Sequence, residues 1–367
     1  MHVALVFNQK SDSENADPDG QRGSYLDAEA EWDSPDTIHA VADALSTEHE
    51  VTLIEADEEA FGTLRALRPD LVFNIAEGRN GAGREAQIPA ILEMLDIPYT
   101  GSDPVTLGIC LDKSRTKEIL AYHGIPTPRF IVVEKAEEIN GQAFLPAVAK
   151  PLWEGSSKGI TDDCLVHDAA ALRRKVAQLA RRYRQPVLVE EYLPGREFTA
   201  AVLGNGAGAR VLPLVEMDFS ALPAGANPMY SYEAKWVWDD PEKPIEVHRC
   251  PAEMDDGLRQ AVEDVVKMAF RTLRCRDWAR IDVRLDGEGA PNILELNPLP
   301  GILPDPKEHS CFPAAARAAG MSYTEMILGV VNEACRRCGL ARGYRTRRQR
   351  PRRSPSDYAS YRGVSRG

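Results

Sequence analysis

The feature that most constrains the fold of this chain is a pair of apolar-alternating segments in its C-terminal third. The segments Arg280–Leu285 and Ile293–Asn297 flank Asp286–Gly289, which contains an Asp-Gly and a Glu-Gly step. Such steps between two alternating runs predict an antiparallel β-hairpin. When the strands are paired around this loop, Asp282 lies opposite Glu295.

The two faces of the predicted hairpin differ in chemistry, because successive side chains of a strand point to opposite sides of a sheet. The polar face carries Arg280, Asp282, Glu295 and Asn297. The face directed at the core carries Ile281, Val283, Leu294 and Leu296. Converging carboxylate and amide oxygens suit Mg²⁺ that bridges nucleotide phosphates. The alternative is the solvated polar face of an ordinary hairpin.

The length and net charge of the chain limit the classes of protein to which it can belong. A chain of 367 residues is expected to form two or three domains. Its net charge of −12 argues against a folded body that binds nucleic acid, and no apolar stretch approaches the roughly 20 residues of a membrane span. The segment Met1–Phe7 is typical of a buried first strand and not of a signal peptide. Seven scattered cysteines predict no disulfide framework, and therefore a cytoplasmic location.

The C-terminal end differs in composition from the rest of the chain. From Arg336 onward it is rich in Arg, Ser, Pro and Gly, which predicts a disordered basic tail over 336–367. Such a tail is either solvated or in contact with an anionic partner. Cys335 and Cys338 form a single CxxC, which we interpret as two ordinary helix residues. The alternative for this pair is a redox or zinc site.

The first third of the chain alternates between strand and helix patterns. Strands are predicted at Val3–Phe7, Val51–Ile54 and Asp70–Ile75, and helices at Asp36–Ser46, Phe61–Leu67, Gly83–Leu95 and Lys113–His123. Apolar strands separated by helices predict βαβ units and a parallel sheet. The block from 131 to about 203 has antiparallel character instead.

Two motifs in the middle block are candidates for nucleotide contacts. The Gly- and Ser-rich loop Glu154–Gly159 follows the strand that contains Lys150, and the backbone N–H groups and hydroxyls of such a loop can surround an anion. An ordinary small-residue turn has the same composition. The segment Glu190–Leu193, followed by Glu197, resembles a hinge that binds a nucleobase edge and a ribose. The alternative is a solvated strand edge.

The order of these motifs resembles that of the D-alanine–D-alanine ligase family within the ATP-grasp superfamily. The resemblance extends from about Asp70 to about Val331. The motifs that carry it are Leu95–Ser102, Leu111–Lys117, Lys150–Pro151, Glu154–Ser157, Glu190–Glu197, Tyr232–Lys235, Arg280–Asn297 and Pro300–Gly301.

The resemblance implies an α/β fold with mixed α+β parts, the three-domain ATP-grasp fold. A parallel α/β domain would precede two α+β domains that bind the nucleotide between them. The implied ranges are 1–112 for the N-terminal domain, 113–205 for the central subdomain, 206–335 for the C-terminal subdomain with the hairpin, and 336–367 for the tail.

The resemblance also implies the roles of individual residues. ATP would be bound by Lys113, Lys150, Glu154, Ser156, Ser157, Glu190, Glu191, Leu193, Glu197 and Lys235. Two Mg²⁺ ions, or Mn²⁺ in their place, would be bound by Asp282, Glu295 and Asn297. The catalytic groups would be Arg280 and the Gly301 backbone N–H at the oxyanion, and Ser156 in a mobile loop that closes over the phosphates.

The implied reaction is a two-step amide synthesis. A substrate carboxylate attacks the γ-phosphate of ATP to give an acyl-phosphate and ADP, and an amine then displaces phosphate. We expect a carboxylate–amine ligase that acts on an amino acid or a related compound. The alternatives are a true D-alanine–D-alanine ligase of cell-wall synthesis and a nucleotide-binding protein without turnover. A homodimer is compatible with the resemblance.

The chain departs from the family pattern where the amino-acid substrates would bind. Glu77-Gly78 stands in place of a His-Gly, Trp236 in place of a Tyr, and Pro298-Leu299 in place of small polar residues. The usual N-terminal substrate glutamate is replaced by a polar insertion in which Glu29, Glu31 and Asp33 are the acidic candidates. The predicted substrate residues are therefore Glu31, Glu77, Arg84, Trp236, His309 and Ser310. For Glu77, Arg84 and Glu85 the alternative is a Gly-rich connector with a satisfied surface ion pair.

Overall fold

The computed structural model describes residues 1–11, 29–139, 144–236, 245 and 247–340. These residues form a parallel sheet near the N-terminus and two antiparallel sheets in the remainder of the chain. The mixed α/β architecture that the sequence predicts is therefore confirmed. Residues 12–28 of the predicted polar insertion and residues 341–367 of the predicted tail lie outside the described residues.

The parallel sheet contains β1 (His2–Phe7), β2 (Glu50–Glu55) and β3 (Leu71–Asn74) in the order β2-β1-β3. Every residue of β3 is buried, as expected of a strand covered on both faces. The helices α1 (Pro35–Ser46), α2 (Ala60–Leu67) and α3 (Gln87–Leu95) pack with this sheet. The next helices, α4 (Pro104–Leu111) and α5 (Lys113–Tyr122), contribute Cys110 and Leu120 to the core of the C-terminal unit. The Ser34 hydroxyl caps α1 directly before a first-turn proline, which explains where this helix begins.

The central sheet is antiparallel in the order β4-β7-β5-β6. Its elements are β4 (Phe130–Val133), β5 (Ala147–Pro151), β6 (Leu165–Val166), α6 (Ala169–Tyr183) and β7 (Val187–Glu191). The helix α6 packs its buried side chains against this sheet, and its sharp C-terminal stop coincides with Arg184 in the left-handed region. The predicted antiparallel character of this block is confirmed.

The C-terminal sheet follows the order β11-β10-β8-β12-β13, with β9 paired to β8. Its elements are β8 (Glu197–Leu203), β9 (Arg210–Val211), β10 (Val215–Met217), α7 (Tyr232–Trp236), β11 (His248–Arg249), α8 (Asp256–Thr272), β12 (Trp278–Leu285), β13 (Pro291–Asn297), α9 (Cys311–Ala318) and α10 (Tyr323–Cys338). Because β8 pairs with β12, the two antiparallel sheets divide between β7 and β8, before the predicted domain boundary at 205.

One tryptophan joins the N-terminal unit to the C-terminal unit. Trp278 is completely buried, and its ring meets Phe73 of β3 and Phe312 of α9 edge to face, with ring centroids 5.6 Å apart in both pairs. A single apolar cluster consequently includes the parallel sheet, β12 and the last two helices. The two units are therefore packed through a continuous core at this point.

The helix α10 continues into the predicted tail. A capping box formed by Ser322 and Glu325 begins it, and Gly339 in the left-handed conformation ends it. Arg337 lies inside this helix with Nη2 2.7 Å from Asp277 Oδ2, so the prediction that the tail starts at 336 is wrong. Cys335 and Cys338 both lie on this helix, as the interpretation as helix residues predicts. Among the described residues, no helix combines the length and apolar character needed to cross a membrane.

Candidate functional site

The polar face of the β12–β13 hairpin is arranged as its sequence predicts. Asp282 pairs with Glu295, and Arg280 pairs with Asn297. Arg280 Nη2 lies 3.0 Å from Asp282 Oδ2 and 3.6 Å from Glu295 Oε1. The Asn297 amide nitrogen donates to the same two carboxylates, at 3.4 Å in each case. Four polar side chains therefore converge on one face of the sheet.

One residue of the hairpin lies on the face opposite to the predicted one. The pairing shifts after Asp282, so that Val283 faces Ile293 and Leu294 becomes the extra residue of a β-bulge. A shift by one residue reverses the face of each side chain. Ile293 is therefore fully buried, whereas Leu294 is partly exposed and lines a cleft. The core positions predicted for Ile281, Val283 and Leu296 are correct, and the one predicted for Leu294 is wrong.

The two hairpin carboxylates have opposite pKa shifts. Burial raises the pKa of Asp282, and Arg280 opposes this effect. Burial would also raise the pKa of Glu295, but Lys113, Lys150 and Arg280 together lower it to about 2. Glu295 is therefore ionised at neutral pH, as a metal-binding carboxylate must be.

The donor set of the hairpin fits a hard divalent cation. Carboxylate oxygens of Asp282 and Glu295 and the amide of Asn297 lie on one face, and oxygen ligands are those that Mg²⁺ and Mn²⁺ prefer. Arg280 and Lys113 lie within 4 Å of Glu295. The predicted metal ligands are thus brought together in a strongly polar environment.

A cleft lies beside the hairpin, between the central and C-terminal sheets. Strands β5 and β7 contribute to one side, and β8, β10, β12 and β13 contribute to the other. The predicted ATP-binding residues that line it are Lys150, Glu154, Ser156, Ser157, Glu190, Glu191, Leu193 and Glu197. Lys113 lines an adjoining cavity. The structure therefore gathers most of the predicted set around one cleft.

The hinge that follows β7 offers a backbone donor to this cleft. The Leu193 N–H has no acceptor among the described residues, and Leu193 lines the cleft. The Glu191 N–H donates to the Arg129 carbonyl at 2.9 Å and is not available to a ligand. The Glu191 carboxylate pairs with the exposed Arg129 guanidinium at 2.8 Å. The hinge therefore presents Leu193, and not the Glu191 N–H, as its donor.

The Glu190 carboxylate is held between two buried lysines. Lys150 Nζ lies 2.6 Å from Glu190 Oε1, and Lys117 Nζ lies 2.9 Å from Glu190 Oε2. Burial lowers the pKa of Lys117. At Lys150 the charges of Glu190 and Glu295, together with the hydrogen bond to Glu190, outweigh burial and raise the pKa. Sequence reasoning missed Lys117, although its spacing of four from Lys113 places both lysines on one face of α5.

Glu197 is likewise paired at the cleft. Its Oε2 accepts from Arg284 Nη1 at 2.8 Å, and Arg284 also donates to the Tyr192 hydroxyl and the Pro228 carbonyl. Burial raises the pKa of Glu197, and Arg284 opposes the shift. Sequence reasoning also missed Arg284, although strand alternation places it on the polar face two residues after Asp282.

The Gly- and Ser-rich loop approaches the cleft in an uncommon conformation. Ser156 and Ser157 have φ values of 48° and 59°, in the left-handed region. The Ser157 hydroxyl donates to the Tyr230 carbonyl at 3.2 Å, and Lys158 Nζ lies 2.6 Å from Glu154 Oε2. Two consecutive non-glycine residues with positive φ require support from neighbouring groups.

Glu31 supplies that support from the N-terminal unit. Its carboxylate accepts the Gly155 N–H at 2.8 Å and lies 3.3 Å from Lys158 Nζ. Arg84 Nη2 donates to both oxygens of Glu31, at 2.7 and 2.8 Å, and Arg84 Nη1 donates to the Trp153 carbonyl. Arg84 is therefore engaged in a satisfied ion pair, which is buried and not on the surface as the alternative interpretation supposed.

A second cavity adjoins the cleft on the side of the N-terminal unit. It is lined by Glu31, Asp33, Glu77 and Glu85 from that unit, and by Trp278, Arg280, Glu295, Asn297 and Gly301 from the C-terminal unit. The acidic residues follow the C-terminal ends of parallel strands or precede helices, the usual ligand position in such sheets. Arg280 and Glu295 line both the cleft and this cavity, so the two spaces meet at the hairpin.

The remaining predicted residues have different surroundings. The Ser310 hydroxyl donates to the Gly301 carbonyl at 2.9 Å and thus braces the predicted oxyanion segment. His309 stacks on His248 with ring centroids 5.1 Å apart, and neither His309 nor Ser310 lines the two spaces. Glu29 binds Ser11 on the surface.

The backbones of Lys235 and Trp236 belong to α7, but their side chains lie outside the described residues, so their predicted contacts stay predictions.

Comparisons with known proteins agree in family and fold. The family model described as the D-ala D-ala ligase C-terminus matches residues 119–332. A D-alanine–D-alanine ligase of Bordetella petrii is 36% identical over 293 residues, which cover 79% of this chain and 83% of that protein. An uncharacterized protein of Sinorhizobium fredii, y4sG, is 38% identical over 298 residues, which cover 79% of this chain and 84% of its own length.

Solved structures resemble the fold. The crystal structure of D-alanine–D-alanine ligase from Bacillus anthracis complexed with ATP superposes with a TM-score of 0.67 at 23% identity. The match covers 92% of this chain and 98% of that one. At this level of identity the superposition establishes the architecture.

Proposed function

This chain belongs to the D-alanine–D-alanine ligase family, whose members are ATP-dependent ligases that form an amide bond, and we propose that it joins a carboxylate to an amine through an acyl-phosphate. The observation that carries the proposal is that Arg280 and Glu295 line both the cleft and the second cavity, which adjoins the cleft on the side of the N-terminal unit. A nucleotide in the cleft would thereby direct its terminal phosphate at a substrate in the cavity.

In the proposed reaction the cleft binds ATP and the cavity binds the molecules to be joined. The Leu193 N–H would contact the adenine edge, Glu197 the ribose, and Lys113 and Lys150 the phosphates. The backbone and hydroxyls of Ser156 and Ser157 would cover the phosphates and exclude water, which would otherwise hydrolyse an acyl-phosphate.

The hairpin would bind the cation that balances the negative charge of the phosphates during phosphoryl transfer. Asp282, Glu295 and Asn297 would hold Mg²⁺ or Mn²⁺, which neutralises phosphate charge when bound. The substrate carboxylate attacks the γ-phosphorus and ADP leaves, and the amine then attacks the acyl carbon and phosphate leaves. Arg280 and the Gly301 N–H would stabilise the oxyanion that forms at the acyl carbon. An ATP-consuming reaction and seven free cysteines also support a cytoplasmic location.

The test is the release of ADP in the presence of Mg²⁺, with D- and L-amino acids supplied singly and in pairs and the products identified by mass spectrometry. The proposal predicts a product whose mass is the sum of both substrates minus water. With an ¹⁸O-labelled substrate carboxylate, one label must appear in phosphate, because the bridging oxygen leaves with phosphorus. ATP binding without ADP release under every condition would instead indicate a non-catalytic protein.

The same assay decides between a specialised ligase and one of cell-wall synthesis. D-alanyl-D-alanine as the dominant product would establish the cell-wall alternative, which the Bordetella relatives favour by their names. The departures at Glu77 and at the polar insertion favour another amino acid or related compound.

A further inference from the structure

One buried arginine connects the strands and the hinge that surround the nucleotide cleft. Arg284 is 5% exposed and lines the cleft beside Glu197 and Tyr192. Its position follows from strand pairing, because Arg284 of β12 lies directly opposite Glu197 of β8. Alternation along β12 places it on the same face as Arg280 and Asp282. The polar face of the hairpin therefore extends beyond the predicted metal ligands to the hinge.

Contacts with residues other than Glu197 fix the Arg284 guanidinium. Its Nη2 donates to the Tyr192 hydroxyl at 2.9 Å and to the Pro228 carbonyl at 2.7 Å. The guanidinium carbon lies 4.7 Å from the ring centroid of Tyr192 and 5.3 Å from that of Phe219, within the range of cation–π attraction. The side chain is therefore held by the hinge and by the segment that precedes α7.

The ion pair leaves one oxygen of Glu197 for a ligand. Oε2 accepts from Arg284 Nη1 at 2.8 Å, whereas Oε1 accepts no hydrogen bond from the described residues. Burial raises the pKa of Glu197, and the Arg284 charge opposes this rise and so favours the ionised acceptor. A carboxylate oxygen has two lone pairs and can accept from two hydroxyl groups. One such oxygen in the cleft therefore matches the two adjacent hydroxyl groups of a ribose.

Stability alone does not account for this ion pair. Removing two opposite charges from water costs free energy that their attraction offsets only in part, so a buried pair adds little stability relative to apolar side chains of similar volume. What a guanidinium provides is direction, because its N–H groups have a fixed planar geometry. Since Arg284 is itself fixed by Tyr192 and Pro228, the pair holds the Glu197 carboxylate in one orientation.

We infer that Arg284 is a positioning residue that orients Glu197 toward the ribose hydroxyls of the bound nucleotide and so makes nucleotide affinity depend on those hydroxyls. The inference rests on the proposed ligase function, in which Glu197 contacts the ribose. It adds Arg284 to the groups that determine which nucleotide the cleft accepts. Because Arg284 also binds Tyr192, the residue before the hinge donor Leu193, it fixes the ribose contact relative to the hinge.

The first experiment uses the unaltered protein. Calorimetric titrations with Mg²⁺ compare the Kd of ADP with that of 2′,3′-dideoxy-ADP, and neither nucleotide permits turnover. We expect ADP to bind at least about tenfold more tightly, because the dideoxy nucleotide cannot donate hydrogen bonds to a charged acceptor. Equal Kd values would overturn the inference without any variant.

The second experiment removes the guanidinium. Arg284→Met should raise the Kd of ADP about 10- to 100-fold and change the Kd of 2′,3′-dideoxy-ADP by less than about threefold. A merely structural role of Arg284 would weaken both nucleotides equally. Arg196→Met is the matched control, because Arg196 precedes Glu197 but pairs with Glu216 and does not line the cleft; it should change neither Kd.

A third variant guards against a loss of folding. Arg284→Met leaves Glu197 buried without its partner, whereas Arg284→Met combined with Glu197→Gln removes both charges. The double variant should bind ADP and 2′,3′-dideoxy-ADP with Kd values within about threefold of each other, because its carboxamide is neutral and no longer oriented. Circular dichroism shows whether each variant folds. A preference for ADP of tenfold or more in the double variant would overturn the inference.

The outcomes separate this inference from the function on which it rests. If the unaltered protein binds neither nucleotide, the ligase function is overturned and the inference with it. If it binds both nucleotides equally, or if folded Arg284→Met loses equal affinity for both, only the role of Arg284 is overturned. A preference for ADP that Arg284→Met abolishes and Arg196→Met preserves supports the inference.

Discussion

Arg84 Nη2 lies 2.7 Å from one carboxylate oxygen of Glu31 and 2.8 Å from the other, and both side chains are almost completely buried. The same carboxylate accepts the Gly155 N–H of the Ser-rich loop. This pair therefore connects the N-terminal unit to a loop of the central unit that faces the nucleotide cleft.

Replacement of Glu31 should be costly because it leaves Arg84 charged and buried. We expect Glu31→Gln to lower the free energy of unfolding by about 3 kcal/mol, measured by urea denaturation. A double variant with Arg84→Gln should lose less than the sum of both single changes. Glu118→Gln, which breaks the exposed pair with Arg115, should produce no measurable change. Equal effects of Glu31→Gln and Glu118→Gln would contradict this account.

Glu295→Gln should remove most turnover while the protein remains folded. The carboxylate is ionised and faces Arg280 and Asn297, so its loss removes a metal ligand worth several kcal/mol to phosphoryl transfer. We expect ADP release to fall roughly 100-fold or more, with an unchanged circular dichroism spectrum. Glu288→Gln, in the exposed loop of the same hairpin, should retain full activity. Near-normal turnover of Glu295→Gln would refute the metal assignment.

Substitutions of two consecutive residues at the bulge, Ile293 and Leu294, should affect different properties: stability in the first case and ATP affinity in the second. Ile293→Ala creates a cavity in the core and should lower the free energy of unfolding by about 2–4 kcal/mol, with little effect on ATP affinity. Leu294→Ala removes part of the cleft lining and should raise the Kd for ATP about 3- to 10-fold, with a smaller effect on stability. Denaturation and calorimetric titration measure the two quantities. The reverse pattern would show that the bulge is misplaced.

Substitutions of two adjacent arginines of α10, Arg336 and Arg337, allow the loss of an exposed ion pair to be compared with the loss of a buried one. Arg337 pairs with Asp277, which is fully buried and also accepts from Gly101 and Asn205. Arg337→Ala should lower the free energy of unfolding by about 3 kcal/mol. Arg336→Ala breaks only an exposed contact with Glu333 and should have no measurable effect on urea denaturation. Indistinguishable midpoints for the two variants would argue against the buried pair.

Stability should decrease as pH rises across the neutral range. The folded pKa values of Asp33 and Glu85 are about 7, above their ordinary values of 3.8 and 4.5. A raised folded pKa contributes stability below the ordinary value, and this contribution is lost as pH passes through about 7. We expect a lower midpoint of thermal unfolding at pH 8 than at pH 5, and a smaller difference in Glu85→Gln. Glu58→Gln, at an exposed carboxylate of the same unit, is the control and should keep the full difference; loss of the difference there would point to net charge instead.

The sequence predicts the parts of the fold that depend on local residue patterns. Continuous apolar runs such as β3 identify the parallel sheet, and the Asp-Gly step identifies the pairing of Asp282 with Glu295. The bulge at Leu294 escapes prediction because strict alternation assumes an unbroken ladder. Whether the predicted site residues act as proposed is a question for the variants above.

Contacts between distant segments could not be read from the pattern. A lysine on a polar helix face, such as Lys117, is usually solvated, and only the folded chain brings it to Glu190. Glu31 and Arg84 are separated by 53 residues, and neither has a local motif that identifies its partner. The helical position of Arg337 was missed because the basic composition of the following segment dominated the interpretation.

The double position of Trp278, in the shared core and on the cavity surface, limits how this chain could acquire a new specificity. A substitution there would disturb Phe73 and Phe312 as well as the lining of the cavity. Glu77, in contrast, lies in a connecting segment and Glu85 in the short 3-10 helix Arg84–Ala86, and neither belongs to a core cluster. Evolution of substrate preference should therefore proceed through the N-terminal connecting segments, while the C-terminal side of the cavity stays constant because the fold depends on it.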